Sequence, residues 1–250
     1  MSYFREQAKL YAEYRPDYPA ALFDFIASLA LTKKLAWDCA TGNGQAAVGL
    51  AEHFARVIAT DVSAEQISHA RPHPRVEYRV AAAEQSGLPD ACADVVTITQ
   101  ALHWLDFERF YAEVRRVLAP RGAIVATVYA DPVLNDANAD PELNLILHNY
   151  NKVIVGPCWP PERKIVDDRY ATIPFPFEEL PAPQLTLERN WNLAELAGYL
   201  RSWSATVRYA KQHGRDPVEQ FENEMRTKWG DPQQPRLIRW PFVIRAGRVK

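Results

Sequence analysis

A glycine-containing turn between two acidic residues is the part of this sequence whose residue types and spacing could bind a ligand. Asp38 ends an apolar stretch, Gly42 and Gly44 follow in the turn, and Asp61 ends the next apolar stretch. Glycine has no Cβ, so the backbone of such a turn can take positive φ values and approach a ligand closely. A carboxylate only accepts hydrogen bonds, so Asp61 could take both hydroxyls of a ribose, or else cap the helix predicted after it. The turn and Asp61 together predict a site for a nucleoside-containing ligand.

The acid before the turn indicates which nucleoside ligand the site prefers. The turn satisfies the dinucleotide fingerprint, with Gly42, Gly44 and Ala47 at its three positions. A carboxylate at Asp38 would repel a pyrophosphate, whereas it would attract a cationic ligand. S-adenosylmethionine carries a sulfonium, an α-ammonium and a ribose but no phosphate, so it suits both acids. A nicotinamide-dependent oxidoreductase, which would bind a dinucleotide, is the less favoured alternative for two reasons. Asp38 would repel the pyrophosphate, and two predicted helices precede the turn.

The elements that position these residues alternate along the chain. Strands are predicted in the segments "KLAWDCA", "RVIATDV", "RVEYRV", "ADVVTITQA" and "GAIVATVY". Helices are predicted over 1–15, 20–31, 45–54 and 107–118, and in a short segment that Ser63 caps, with Gln66 completing a capping-box pattern. Val- and Ile-rich strands that alternate with helices are typical of an α/β protein with a doubly wound, mostly parallel sheet. Ligands of such sheets bind beyond the carboxyl ends of the strands, where the turn and the acids lie.

Composition narrows the class of protein. The charges nearly balance, with 29 Lys and Arg against 31 Asp and Glu, so net charge favours neither a nucleic acid nor a membrane surface as partner. The three cysteines are widely separated and form no Cys-x-x-Cys or Cys/His cluster, so neither a disulfide framework nor a metal site is indicated. No signal peptide is recognisable, and no apolar stretch approaches the roughly 20 residues of a membrane span. We therefore expect a cytoplasmic protein with reduced thiols.

Several motifs in a fixed order carry a resemblance to a known family. The segments "DCATGNG", "ATDVS", "AAAEQSGLP", "ADVVTITQALHWLD" and "EVRRVLAPRGAIVATVY" resemble the class I S-adenosylmethionine-dependent methyltransferases. Within that family the chain is similar to the small-molecule branch that includes the trans-aconitate methyltransferases, and "YRPDYP" and "YLRSWSA" are also similar to stretches of that branch. The resemblance implies a seven-stranded, Rossmann-like sheet, S-adenosyl-L-methionine as cofactor and a small-molecule methyl acceptor.

The expected organisation is one methyltransferase domain over 1–250. N-terminal helices would occupy 1–34, the cofactor-binding core 35–130, and a terminal strand 236–250. After Tyr129 the alternation of strands and helices stops, and 131–183 is rich in proline. We expect 131–235 to form a helical substrate cover with a sixth strand in "QLTLERNW" and helices over 141–153, 193–203 and 217–229.

The resemblance implies a set of cofactor-binding residues in the loops at the strand ends. They are Tyr14, Asp38, Ala40, Thr41, Gly42, Gly44, Asp61, Val62, Ala83, Glu84, Gln100, His103 and Trp104. The loop from Asp38 to Gly44 would face the methionine part, with Gln100 beneath it. The N-terminal tyrosines, among them Tyr11, Tyr14 and Tyr18, would close over the cofactor.

The other end of the cofactor would lie against the second and third strands. Asp61 would bind the ribose, and Val62 would lie against the adenine. Ala83 and Glu84 would border the adenine edge, although Glu84 could equally cap the following turn. The family often has an acidic residue two positions before Glu84, but this chain has Ala82 there. Recognition of the adenine amino group would therefore rest on backbone carbonyls or on Glu84. A second departure is Ala40, which replaces the usual first glycine of the loop.

The chemistry implied by the family needs little from the protein beyond positioning. Methyl transfer is an in-line displacement, for which alignment of the reactants and exclusion of water are the main requirements. His103, just after the fourth strand, is the candidate catalytic base, needed only if the acceptor must lose a proton. Contact with cofactor or acceptor, or anchoring of the loop together with Trp104, are the alternatives.

The acceptor is expected to bind in the cover. Four cationic residues lie close together in sequence there, namely Arg201, Arg208, Lys211 and Arg215. They could pair with an anionic acceptor such as a polycarboxylic acid, or they could form a solvated helix face. The sequence thus predicts methyl transfer to a small molecule, with a carboxylic acid among the candidates. A protein that binds the cofactor without catalysis is the alternative.

Overall fold

The computed structural model describes residues 14–134 and 141–249. These residues divide into two units, each built from several stretches of chain. The core unit comprises 17–130, 164–186 and 242–249, and the cover unit comprises 14–16, 131–134, 141–163 and 187–241. The helix expected over 1–15 and the proposed contact of Tyr11 lie outside the described residues.

Strands and helices follow the predicted order closely. Within the described residues the strands are β1 (Leu35–Cys39), β2 (Arg56–Asp61), β3 (Val76–Val80), β4 (Ala93–Thr99), β5 (Leu118–Tyr129), β6 (Val133–Leu134), β7 (Glu178–Leu180), β8 (Thr186–Trp191) and β9 (Arg236–Arg248). The α-helices of the same residues are α1 (Ala20–Leu29), α2 (Gln45–Ala51), α3 (Ala64–Ser68), α4 (Phe107–Val117), α5 (Glu142–Asn149), α6 (Arg163–Asp167), α7 (Leu193–Arg201), α8 (Ser204–His213) and α9 (Pro217–Trp229).

The core unit is a seven-stranded, mostly parallel sheet. Its strand order is β3-β2-β1-β4-β5-β9-β7, in which β1 to β5 are parallel and β9 is antiparallel to both of its neighbours. Asp38 lies opposite Ala59 on one side and Thr97 on the other. The order reverses between β1 and β4, which is where sheets of this kind bind ligands. The predicted doubly wound α/β fold is confirmed.

The edge strand of this sheet differs from the prediction. β7, which occupies only Glu178–Leu180 in the proline-rich segment, pairs with residues Ala246 to Arg248 of β9. The predicted sixth strand does form, as β8, and it also pairs with β9. A three-residue polar strand between prolines has neither the length nor the alternation that marks a strand locally, so its pairing is set by β9 rather than by its own residues.

The apolar face of α4 shows how the helices join this sheet. Asp106 Oδ1 caps the helix by accepting the N–H of Arg109 at 3.2 Å. Phe110 and Val114, four residues apart, are fully buried in the cluster that also contains Trp37. Spacing of apolar residues by one helical turn therefore puts one face of the helix on the strands.

The cover unit is organised around aromatic side chains. Tyr199 on α7 packs edge-on against Trp240 at 5.4 Å and against Trp203 at 5.6 Å between ring centroids. Trp240 Nε1 also donates a hydrogen bond to the Tyr199 hydroxyl at 3.0 Å. α7 begins with a capping box, in which Asn192 and Glu195 satisfy each other's backbone N–H groups. These aromatic rings form the interior of the cover unit. No helix in the described part of the chain is long and apolar enough to cross a membrane.

Candidate functional site

The predicted cofactor residues of the core unit follow the carboxyl ends of its parallel strands. Asp38 lies near the end of β1, Asp61 ends β2, and Gln100 follows β4. Because these strands run in the same direction, the loops after them share one edge of the sheet. Tyr14 belongs to the cover unit instead. Its ring packs closely on Gly198 of the same unit, since a Cβ added to Gly198 would lie 2.6 Å from the ring.

The turn after β1 contains three residues in the left-handed region. Ala40 has φ +52°, Gly42 +57° and Gly44 +80°. Glycine adopts this region without cost, whereas a Cβ there costs about 1–2 kcal/mol. The departure noted at Ala40 is therefore a strained position, because the backbone keeps a glycine conformation with an alanine side chain.

Asp61 joins the turn to the next helix. Its Oδ2 accepts the N–H of Gly42 at 2.9 Å, and its Oδ1 accepts the N–H of Ser63 at 2.8 Å. Ser63 in turn caps α3 by accepting the N–H of Gln66 at 3.2 Å. The helix cap is therefore Ser63, and Asp61, for which capping was the alternative, accepts the N–H of that cap residue instead. Each carboxylate oxygen keeps a further lone pair for a ribose hydroxyl.

Gly42 and Gly44 lack a side chain for different reasons. A Cβ on Gly42 would meet nothing nearer than Gln66 Oε1 at 3.9 Å, so the backbone is accessible there. A Cβ on Gly44 would overlap the ring of Tyr78, whose hydroxyl donates to the carbonyl of Arg71 at 2.6 Å. The space beside Gly44 is thus filled by Tyr78, a residue that no local sequence pattern links to the turn.

Asp38 is fully buried, and hydroxyl groups of the protein bond to both of its oxygens. Thr41 Oγ1 donates to Oδ2 at 2.5 Å, and Thr97 Oγ1 donates to Oδ1 at 2.7 Å. Burial raises the pKa of Asp38 to about 6 against the lowering effect of these hydrogen bonds, and the charge of Asp61 raises it further. The expected contact of Asp38 with the methionine part stays a prediction. Because Asp38 is buried behind the turn, its negative charge would attract a cationic ligand at a distance, without direct contact.

Next to Asp61 an apolar side chain is exposed. Val62 is 76% exposed, although valine side chains are usually buried. It stands at the end of β2, where the adenine of a nucleoside would be expected. Trp104, after β4, is a second exposed apolar side chain among the predicted residues, at 54%.

Of the predicted residues after β3, Glu84 bonds to the residue that precedes a neighbouring helix. Glu84 Oε1 accepts the N–H of Asp106 at 3.2 Å, just before α4, while Ala83 is buried. This bond reaches a residue 22 positions along the chain, so it is not the capping of the directly following turn that was the alternative for Glu84. A role for Glu84 in binding adenine stays a prediction.

Gln100 ties the ends of β4 and β5 together. Its Oε1 accepts the N–H of Tyr129 at 2.8 Å, and its Nε2 donates to the carbonyl of Tyr129 at 3.3 Å. Its backbone has φ +57°, and its own N–H donates to Thr127 at 2.9 Å. The proposed contact with the methionine part stays a prediction.

His103 lies in a short 3₁₀ turn and is bonded to a buried tyrosine. The turn runs over Leu102–Trp104, and His103 is 7% exposed. Its Nδ1 lies 3.0 Å from the hydroxyl of Tyr170, and its ring packs on Trp104 with centroids 4.8 Å apart. Tyr170 belongs to the proline-rich part of the sequence, where no site residue was predicted.

The three arginines of the cationic run in the cover unit donate hydrogen bonds to other groups of the protein. Arg201 donates to Asp216 at 2.8 Å and to Glu222 at 2.6 Å. Arg208 and Arg215 donate to the Cys158 carbonyl and the Tyr209 hydroxyl, while Lys211 is exposed. Arg201, the most buried of the four cations, is thus already paired with acidic residues of the protein. It is therefore not a partner for the expected anionic acceptor.

A cavity of about 320 Å³ lies inside the cover unit. It is lined by apolar and amide side chains together with a carboxylate and an imidazole, namely Asp131, Pro132, Val133, Asn144, Leu147, His148, Asn151 and Trp203. Asn151 is almost fully buried, and its Oδ1 accepts Trp159 Nε1 at 2.9 Å. Asp131 is paired with Lys152 and Arg163.

Comparison with known proteins gives consistent matches. The sequence profile of the "Methyltransferase domain" family matches residues 37–126. A Dictyostelium discoideum protein described as a methyltransferase is 33% identical over 223 residues, which are 89% of this chain and 84% of that protein. A Saccharomyces cerevisiae protein described as an S-adenosylmethionine-dependent methyltransferase is 23% identical, over 92% of this chain and 91% of its own.

A solved structure extends the likeness to the fold. The structure of a protein from Anaeromyxobacter dehalogenans, described as a type II methyltransferase, matches with a TM-score of 0.86 and 42% identity. The match covers 94% of this chain and 98% of that chain.

Proposed function

Because the chain belongs to the class I methyltransferases, we propose that it binds S-adenosylmethionine at the carboxyl edge of the core sheet and transfers its methyl group to a small-molecule acceptor. The observation that carries this proposal is the contact between Gly42 N–H and Asp61 Oδ2 at 2.9 Å. It fixes an open backbone turn beside a carboxylate that keeps lone pairs for a ribose.

The residues present fit this cofactor. Val62 offers an exposed apolar surface for adenine beside the acid proposed for ribose. The thirteen residues proposed for the site include two aspartates and a glutamate but no lysine or arginine. That charge balance supports a cationic ligand and disfavours the pyrophosphate of a dinucleotide.

The protein's part in the reaction is positioning. S-adenosylmethionine supplies, when bound, a methyl group activated by a positively charged sulfur. Asp61 would hold the ribose, Val62 the adenine and the Ala40–Gly44 turn the methionine part. Correct alignment of donor and acceptor can account for roughly 7–11 kcal/mol of the barrier. The negative charge of Asp38, behind the turn, would favour the cationic end of the ligand.

We assign recognition of the acceptor to the cavity of the cover unit. Its volume of about 320 Å³ is of the size that takes a small organic molecule. The aromatic wall at Trp203 and the amide of Asn151 support a partly apolar acceptor with a hydrogen-bonding group. A carboxylic acid remains one candidate, without Arg201 as its partner. The protein is proposed to act in the cytoplasm.

Ligand-dependent thermal unfolding tests the cofactor. A ligand that binds the native state at 100 times its Kd raises the free energy of unfolding by about 2.7 kcal/mol. We expect this for S-adenosylmethionine and S-adenosylhomocysteine, and not for NAD or NADP. Stabilisation by NAD or NADP alone would overturn the proposal.

A pair of surface variants locates the site. Val62→Ser should weaken S-adenosylmethionine about tenfold, since the lost burial of a valine amounts to about 1.5 kcal/mol. Leu31→Ser is the matched control, because Leu31 is also exposed but precedes β1 at the opposite edge of the sheet. Equal affinity of both variants would place the cofactor elsewhere. Acceptors are then sought among small acids and neutral molecules by the mass gain of one methyl group, and binding without any turnover would indicate a non-catalytic protein.

A further inference from the structure

The contact between Tyr170 and His103 joins two nearly inaccessible side chains of the core unit. The hydroxyl of Tyr170, which is fully buried, lies 3.0 Å from His103 Nδ1. The two rings are tilted by 48°, with centroids 6.0 Å apart. A neutral imidazole has one N–H and one nitrogen with a lone pair, so this contact decides which nitrogen carries the proton.

The surroundings of the phenol favour one direction for the hydrogen bond. Burial raises the pKa of Tyr170 well above its ordinary value, so the hydroxyl keeps its proton. Among the described residues, His103 Nδ1 is the one hydrogen-bond partner of this hydroxyl. A buried hydroxyl needs an acceptor for its proton, and Nδ1 is the acceptor in contact with it, so the proton is donated to Nδ1.

We propose that Tyr170 is a positioning residue that donates its hydroxyl proton to His103 Nδ1 and so holds His103 as the neutral tautomer protonated at Nε2. His103 is then a hydrogen-bond donor at the carboxyl edge of the sheet, and it is not a general base. The consequence for the acceptor rests on the proposed function. The tautomer protonated at Nε2 therefore favours an acceptor whose reacting atom needs no proton removed by His103, such as a carboxylate oxygen.

The backbone that brings Tyr170 to this place is strained. Arg169 and Tyr170, two successive residues other than glycine, have φ values of +53° and +59°. Such strain persists where the surrounding structure fixes it, and it is concentrated at functional positions. Here Arg245 fixes the turn, since its Nη1 donates to the carbonyls of Tyr170 at 3.2 Å and of Ile173 at 2.8 Å.

The tautomer can be measured directly by NMR on ¹⁵N-histidine-labelled protein without cofactor. The chain has six histidines, and the spectrum of His103→Gln identifies the signals of His103 by their loss. In the wild type we expect a protonated Nε2 and an unprotonated Nδ1 at pH 7. A protonated Nδ1, or protons on both nitrogens, would overturn the proposal without any further variant.

Two phenylalanine variants then assign the effect to Tyr170. Tyr170→Phe should lose the single-tautomer pattern, so that the shifts of the two ring nitrogens move toward each other. Tyr111→Phe is the matched control, because Tyr111 is a buried tyrosine of the same cluster whose hydroxyl has no hydrogen-bond partner within the described residues. An unchanged tautomer in Tyr170→Phe, with native unfolding behaviour, would exclude Tyr170 as the positioning residue. Because no cofactor is present, failure of the proposed methyl transfer would leave this result intact.

Discussion

Replacing the buried acid Asp38 by asparagine should stabilise the protein and weaken its ligand binding at the same time. Burial raises the pKa of Asp38 from 3.8 to about 6, so the folded state binds this proton more tightly than the unfolded state does. Stability therefore falls as the pH rises through that interval, and the loss is complete above it. At about 1.4 kcal/mol per pH unit the loss amounts to about 3 kcal/mol.

Asparagine removes this loss but changes the local hydrogen bonds. Thr41 and Thr97 both donate to Asp38, and one of them must turn to accept from the new amide, at a cost of about 1 kcal/mol. The cost is the same at every pH, so the net gain of Asp38→Asn is about 2 kcal/mol at pH 8, falls to zero at about pH 4.5 and becomes a loss of about 1 kcal/mol at lower pH. S-adenosylmethionine should bind more weakly, because the site loses a negative charge.

Urea unfolding of wild type and variant at several pH values between 5 and 8 measures this difference. Glu113→Gln is the contrasting control, since hydrogen bonds from Arg116 hold the pKa of Glu113 at about 2. Its ionised form stabilises the fold above about pH 4.5, so the variant should lose about 1–3 kcal/mol throughout the range. A gain in Asp38→Asn that is the same at pH 5 and pH 8 would refute the reasoning about burial.

Three other substitutions test single features of the core unit, each by urea unfolding. Ala40→Gly should raise the free energy of unfolding by up to about 1 kcal/mol, because relief of the positive φ exceeds the added chain entropy of glycine; a loss would show that the turn is not strained. Gly44→Ala should cost about 2 kcal/mol or more, since its Cβ meets the Tyr78 ring at a positive φ; a neutral effect would contradict that packing. Tyr111→Phe should gain about 1 kcal/mol by removing a buried hydroxyl without a partner, and a loss would reveal a hydrogen bond there.

The fold was predictable where its signals are local. Val- and Ile-rich strands, the turn at Gly42 and the Ser63 cap are each visible within a few residues, and the five parallel strands follow from them. β7 was not predictable, because Glu178–Leu180 becomes a strand only by pairing with β9, more than 60 residues later. The helix α6 was missed as well, since five residues give too short a pattern.

The position of the candidate residues at the strand ends was predictable from the sequence, whereas the residues that hold them in place were not. Asp61 and Gly42 were found together because each ends or follows an apolar stretch. Thr97 and Tyr170 reach Asp38 and His103 from 59 and 67 residues away in sequence, so no local pattern links them. Tyr78 fills the space beside Gly44 for the same reason.

The division of the chain between the two units has a consequence for how such proteins diversify. The chain passes from one unit to the other at five points, after residues 16, 130, 163, 186 and 241. Most of the cover unit is therefore inserted into the core sequence after β5. It forms two stretches, 131–163 and 187–241, and each is flanked by core segments. Mutation, lengthening or exchange of those stretches leaves the register of β1 to β5 untouched. Under the proposed assignment of the acceptor to the cover unit, related proteins could change their acceptor without changing the core, and we expect a chimera made at these junctions to carry the acceptor preference of its cover unit.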